Sequence, residues 1–210
     1  MLFLKKITKI EQQKRHHHRF SLYVNDEFAL GVDEEVIIKY SLSVGKEISD
    51  SFLEDVVKAE EQSKAFNYAV NLLSFRSRSK KELITKMKQK GYEEESINPA
   101  IEKLIYYGYL NDYQFATQWA NDKQKFKQAG KNLLRQELYQ KGIDKEIIEQ
   151  VLEEKVDDNE EYERALQLAE KKVKTLSKDD KNAKYRKLSG LLARKGYSFD
   201  IISKVIKEVM

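Results

Sequence analysis

Apolar residues recur in this chain at helical spacing, and the spacing repeats. With the Lys90-Gly91, Lys141-Gly142 and Lys195-Gly196 pairs in register, Leu83, Leu134 and Leu188 stand eight residues before each Gly, and Met87, Leu138 and Leu192 four before. Ile97, Ile148 and Ile202 stand six residues after, and Ile101, Leu152 and Ile206 ten after. A separation of four places each apolar pair on one helical face. A glycine between the pairs supplies the left-handed residue that stops the first helix of each pair. Ser79-x-x-Glu82 reads as a capping box, and Asp144 and Ser198 as N-caps of the helices that follow their glycines.

The register extends upstream to a further helix. Ala65 and Ala69 precede Gly91 by the same distances at which Ala116 and Ala120 precede Gly142. Ala165 and Ala169 lie five residues too far from Gly196, which an insertion in the polar run Thr175 to Asn182 explains. Each unit therefore reads as three helices in roughly 50 residues, with small residues where another helix can approach closely. Repetition at this period predicts a mainly α chain of tandem three-helix repeats in an elongated curved array.

Residues 7–32 follow a different period. Phe20, Leu22 and Val24 alternate with polar residues, Asn25-Asp26 makes a turn, and Phe28, Leu30 and Val32 alternate again, which predicts a β-hairpin. Ile7 and Ile10 belong to a further strand, Val36 to Tyr40 to a short helix, and Val44 to Ile48 to a last extended piece. Ser49 or Ser51 then caps a helix carrying Phe52, Leu53, Val56 and Val57. Pro99 fits a helix whose N-cap is Ser96, because Pro is tolerated in a first turn. Asn111-Asp112 caps the next unit after Gly108. The resulting division is 1–48, a β-containing module; 49–110, the first repeat with its leading helix; 111–158, the second repeat; and 159–210, the third.

Composition narrows the chemistry. No Cys is present, which removes disulfides and thiolate metal sites and fits a reducing compartment. The opening Met-Leu-Phe-Leu is too short an apolar run for a signal peptide, and no stretch reaches membrane-spanning length, so a cytoplasmic protein is expected. His16, His17 and His18 are adjacent and make a poor metal site. Gly45-Lys46 and Gly130-Lys131 lack the upstream Gly and following Ser/Thr of a phosphate-binding loop. The carboxylates are accounted for as caps and solvated helix faces. No catalytic residue, metal or cofactor is expected.

The net charge of +4 is unevenly placed. Residues 1–50 balance to zero and 51–110 to +1, while 111–160 carry −3 and 161–210 carry +6. Arg76, Arg78, Lys80, Lys81, Lys86, Lys88 and Lys90 stand against Glu82 alone. Lys123, Lys127, Lys131 and Arg135 occupy the second repeat, and Lys184, Arg186 and Lys187 the third. These are the candidate contact residues, because cations on successive helices can neutralise phosphates or meet an acidic protein. A solvated helix face is the plainer account of the same charges. Trp119 aligns with Tyr68 and Leu168, which favours core packing over base stacking, while Tyr92 and Tyr197 are placed to staple the turn after their glycines.

Arg78-Ser79-x-x-Glu82-Leu83 with Lys90-Gly91-Tyr92, then Gly108-Tyr109-Leu110-Asn111-Asp112-x-x-Phe115-Ala116, then Gly130 with Glu137-Leu138-x-x-Lys141-Gly142-Ile143, resemble the RecX regulatory proteins of bacteria. The opening Ile7 to Lys14, Arg19-Phe20 and Gly31 to Glu34 resemble the N-terminal extension of the branch found in Gram-positive bacteria. The resemblance implies a non-enzymatic regulator that binds RecA filaments on single-stranded DNA. It implies that filament growth, ATPase and strand exchange are limited, with a role in homologous recombination, the SOS response and DNA repair. It implies RecA and single-stranded DNA as partners, reached directly or through RecA, and a monomer. A sequence-nonspecific nucleic-acid binder is the alternative, and a nuclease the third class.

Overall fold

The computed structural model describes residues 4–177 and 180–210. Met1 to Phe3 of the opening apolar run, and Lys178-Asp179 within the polar insertion, lie outside the described residues. The chain forms two compact units, one of residues 1–76 with 83–109, the other of residues 77–82 with 110–210.

In the first unit, strands β1 (Lys5–Gln13), β2 (His16–Val24), β3 (Glu27–Asp33) and β4 (Glu47–Ile48) form an antiparallel sheet in the order β3-β2-β1-β4. Asn25 and Asp26 both adopt positive φ, 51° and 66°, the twist a two-residue hairpin turn requires. The alternation holds for Leu22, Val24 and Val32, which are buried, and fails for Phe28, which is exposed. A register shift at Leu22/Tyr23 pairs Phe28 with Tyr23 and turns it off the core face. Helix α1 (Glu34–Lys39) starts two residues before Val36, capped by Asp33, whose side chain accepts from the Glu35 amide.

Helix α2 (Asp50–Phe75) joins two helices expected separately, the leading helix and the first helix of the first repeat, into one of 26 residues. Ser49, not Ser51, is its N-cap, accepting from the Phe52 amide. Val56 and Ala59 close the sheet's core with Ile7, Leu22, Val32 and Ile48. Glu60, 1% exposed, accepts from Arg19 at 2.6 Å and from the Asp33 amide at 2.7 Å, fastening the helix to the sheet.

Helices α3 (Lys80–Lys90) and α4 (Glu94–Tyr106) complete the first repeat. The N-cap of α4 is Glu93, so Ser96 is not the cap and Pro99 is the sixth residue of the helix. Proline there releases the Glu95 carbonyl from its intrahelical bond. The Gln62 side-chain amide donates to that carbonyl at 3.3 Å, which is how an interior proline is accommodated.

The second unit holds α5 (Asp112–Lys127), α6 (Lys131–Gln140), α7 (Lys145–Lys155), α8 (Asp158–Lys174), α9 (Lys181–Arg194) and α10 (Phe199–Val209). In each repeat the first and third helices pack together: α2 on α4, α5 on α7, α8 on α10. Ala65, Ala69, Ala116, Ala120, Ala165 and Ala169 are all fully buried, so the small pair on each first helix sits inside its own repeat. The leucines before each glycine and the isoleucines after it are buried as the periodicity requires. Gly91, Gly142 and Gly196 have φ of 95°, 78° and 86°. Asn111 and Ser198 cap their helices through side-chain bonds, while Asp144 holds the N-cap position without one. The third repeat carries its extra length as a longer α8–α9 link and an additional turn at the start of α9, whose own cap is Asp180.

Candidate functional site

The basic residues divide sharply by what surrounds them. In the second repeat most are neutralised internally. Lys123 pairs with Glu137 at 2.8 Å and lies 4.6 Å over the Trp119 ring, whose indole N–H donates to the same carboxylate. Arg135 holds Glu149 through two bonds of 2.7 and 2.9 Å, and Lys131 pairs with Asp158 at 2.5 Å. These bonds hold the Glu149 and Asp158 carboxyls below the usual range, with the hydrogen bond the larger cause in each. Lys127 keeps an exposed side chain.

Along α3, Lys88 pairs with Glu94 at 2.6 Å and lowers its carboxyl, and Lys86 donates to Gln89 at 3.1 Å. The Lys81 ammonium donates to the Gln140 carbonyl at 3.3 Å. Arg76, Lys80 and Lys90 are exposed and Arg78 is half-buried. Trp119 is half-buried, stacked on Phe115 at 5.9 Å and covered by the Lys123 and Lys141 ammonium groups. That is a packing role with two cations held against the ring.

The third repeat differs. Arg186 and Lys187 on α9 line an open groove of about 660 Å³ together with Lys172 of α8 and Arg194. Leu176, Ala183 and Leu191 line the rest, so four cations meet and, among the described residues, no carboxylate lines the groove. Asp180 stands at the start of α9, its carboxyl lowered first by the Ala183 amide and further by Arg186. Lys184 does not line the groove. Sequence reasoning misses Lys172 and Arg194 because each is one cation among many in a basic segment. The usable signal is alignment: Lys172 stands three residues after Ala169 as Lys123 does after Ala120, and Leu191 stands five before Gly196 where Glu137 stands five before Gly142.

A recurring contact organises the second unit. The Lys80 amide donates to Asp112 at 2.8 Å, and the Lys131 amide to Glu161 at 2.7 Å. Ser79 donates to the Lys141 carbonyl, and the Gly130 amide donates to the Lys195 carbonyl. The first turn of each second helix thus meets the Lys-Gly turn of the following repeat, with a carboxylate of that repeat satisfying an N-terminal amide. Burial pushes both Asp112 and Glu161 carboxyls up. Tyr197 is buried behind the second of these contacts and donates to the Gln128 carbonyl, with its phenol pushed up to about 12 by burial. Tyr92 donates to the Lys64 carbonyl in the first unit.

Among the described residues, no group of three or more His, Cys, Asp or Glu is placed to hold a metal ion, and no helix is long and apolar enough to cross a membrane. Three-helix units following a small antiparallel sheet define a helical repeat protein. Residues 5–49 match the family model "Regulatory protein RecX N-terminal domain", and 65–104, 111–152 and 159–206 match the first, second and third three-helix domains of RecX. The chain is 35% identical to regulatory protein RecX of Clostridioides difficile strain 630, over 97% of this chain and 95% of that one. It is also 35% identical to regulatory protein RecX of Bacillus subtilis strain 168, over 97% of this chain and 76% of that one. A crystal structure of regulatory protein RecX superposes with a TM-score of 0.86 at 27% identity, covering 96% of this chain and 98% of that one. The crystal structure of RecX from Lactobacillus salivarius gives 0.67 at 32% identity, covering 72% and 97%. The chain belongs to the RecX regulatory protein family.

Proposed function

We propose that this chain is a negative modulator of the RecA recombinase, binding RecA filaments on single-stranded DNA and limiting filament growth, ATPase and strand exchange. It acts as a cytoplasmic monomer, without catalysis. Family membership along nearly the whole chain carries the reading. The groove lined by Lys172, Arg186, Lys187 and Arg194 supports it, because a cationic surface with no lining carboxylate among the described residues suits a partner rich in phosphate or carboxylate. Arg76, Lys80, Lys81, Lys86, Lys88, Lys90 and Lys127 are further contact candidates whose side chains stand exposed.

The test is RecA's single-stranded-DNA-dependent ATPase rate as the protein is titrated in, beside its binding to bare strand. Loss of ATPase well below the concentration that saturates bare DNA is expected. Loss only at saturation would replace the reading with that of a sequence-nonspecific nucleic-acid binder, which the same groove favours.

A further inference from the structure

The second and third repeats place a lysine at the same point of the first helix and treat it oppositely. In the second, Lys123 is held by Glu137 and lies on Trp119. In the third, Leu191 replaces that glutamate and Leu168 that tryptophan, so Lys172 has neither partner and faces the α8–α9 groove. The other positions change in the same sense. Arg186 stands where the second repeat has Asn132, Lys187 where it has Leu133, and Arg194 where it has Gln140. Where the second repeat has one cation, this groove is lined by four, together with Leu176, Ala183 and Leu191. Among the described residues no ion pair holds Lys172, Arg186 or Arg194.

We infer that the α8–α9 groove of the third repeat is a direct binding site for the sugar-phosphate backbone of single-stranded DNA. The inference deepens the proposed function and rests on it for the choice of a DNA strand. Among the described residues, every polar side chain lining the groove is a donor and none is an acceptor. A phosphodiester backbone carries acceptors and no N–H, so it leaves nothing unsatisfied there. An extended acidic peptide brings backbone N–H groups that the aliphatic floor cannot accept. Arg186 and Arg194 are eight residues apart on α9, roughly 12 Å along a helix, so their guanidinium groups can reach different phosphates of one strand while sugars rest on the leucines.

The decisive experiment uses the full chain without RecA. Fluorescence anisotropy of a labelled oligothymidylate of about 20 nucleotides is followed across a salt series, for the parent and for Lys172→Glu/Arg186→Glu/Arg194→Glu. Affinity is expected to fall about tenfold or more. The log–log salt slope is expected to become shallower by about 2, at roughly 0.7 for each phosphate that the variant no longer neutralises. Leu191→Glu alone restores the carboxylate that the second repeat has, and is expected to weaken the same binding; it carries the test should the triple variant fail to fold, which thermal unfolding reports. Lys58→Glu, exposed on α2 and outside the groove, is the control. Unchanged affinity and slope in both groove variants overturns the inference, as does a loss confined to poly-glutamate binding, which would make the occupant an acidic protein segment. Inhibition of RecA ATPase by the same variants is read separately. DNA binding abolished with inhibition retained leaves the groove as a DNA site, and DNA binding retained with inhibition abolished assigns it to RecA.

Discussion

The backbone amide of Lys131 donates to the carboxylate of Glu161 at 2.7 Å, and that residue is 3% exposed. A helix leaves its first amides without partners, and here the following repeat supplies one acceptor. The Lys80 amide and Asp112 stand in the same relation, so the contact is a property of the repeat. Glu161→Ala strands the Lys131 amide and is expected to cost about 1–3 kcal/mol in urea unfolding. Glu161→Gln keeps an acceptor oxygen and should cost much less. Burial raises the Glu161 carboxyl above its ordinary 4.5, so the folded state holds its proton in a range where the unfolded chain has released it. Stability from this group is therefore present below 4.5 and declines as pH rises through the folded value. The parent should show that decline relative to Glu161→Gln, and identical pH profiles would refute it.

Three glycines, Gly91 and Gly196 in their turns and Gly130 at the start of α6, separate strain from crowding. A Cβ on Gly91 would meet nothing within 4 Å, so Gly91→Ala pays only for its φ of 95°, about 1 kcal/mol. A Cβ on Gly196 would stand 2.2 Å from the Leu133 amide nitrogen, which is backbone and cannot swing aside. Gly196→Ala is expected to cost about 3 kcal/mol or more, strain and overpacking together. Gly130 has an ordinary φ of −85°, yet its Cβ would stand 2.7 Å from the Gly196 carbonyl oxygen. Gly130→Ala therefore isolates the packing cost. Equal destabilisation by Gly91→Ala and Gly196→Ala would show that the second and third repeats do not meet as described.

Much of this was legible in the sequence, for a physical reason. The Lys-Gly pairs fix the phase of each helix pair, and a period of four then assigns Leu83, Leu134 and Leu188 to the core without knowledge of any neighbour. Local rules failed where a distant group decided the outcome. Pro99 sits inside α4 because Gln62, on another helix, takes the freed carbonyl. The basic residues of the second repeat looked available because Glu149 and Asp158, which hold Arg135 and Lys131, lie 14 and 27 residues away in sequence. The groove escaped notice for the converse reason. Its signal is the absence of one glutamate, visible only against the neighbouring repeat.

Tyr197 offers a spectroscopic probe of the third repeat's attachment. Its phenol donates to the Gln128 carbonyl at 2.9 Å and is pushed up to about 12 by burial. The unfolded chain ionises the group at the ordinary value of 10, so its stabilising contribution is complete below 10 and disappears as pH rises through about 12. Tyr197→Phe should remove one late-ionising phenol from an alkaline absorbance titration and cost about 1 kcal/mol near neutrality. A titration curve that keeps its late phase after the substitution would rule this out.

Glu60 tests the joint between the sheet and α2. Its carboxylate is 1% exposed and accepts from the Arg19 guanidinium and the Asp33 amide, while Asp33 in turn caps α1. Three elements thus depend on one side chain. Glu60→Ala leaves both donors without that acceptor, and the Arg19 side chain, 26% exposed, retains partial access to water. The expected loss is about 3 kcal/mol, at the low end for a broken buried pair because of that access. Amide exchange across β2, β3 and the first turns of α2 should accelerate, while α8 to α10 keep their protection, since their core is separate. Uniform acceleration throughout the chain would instead show that the sheet and the third repeat unfold as one cooperative body.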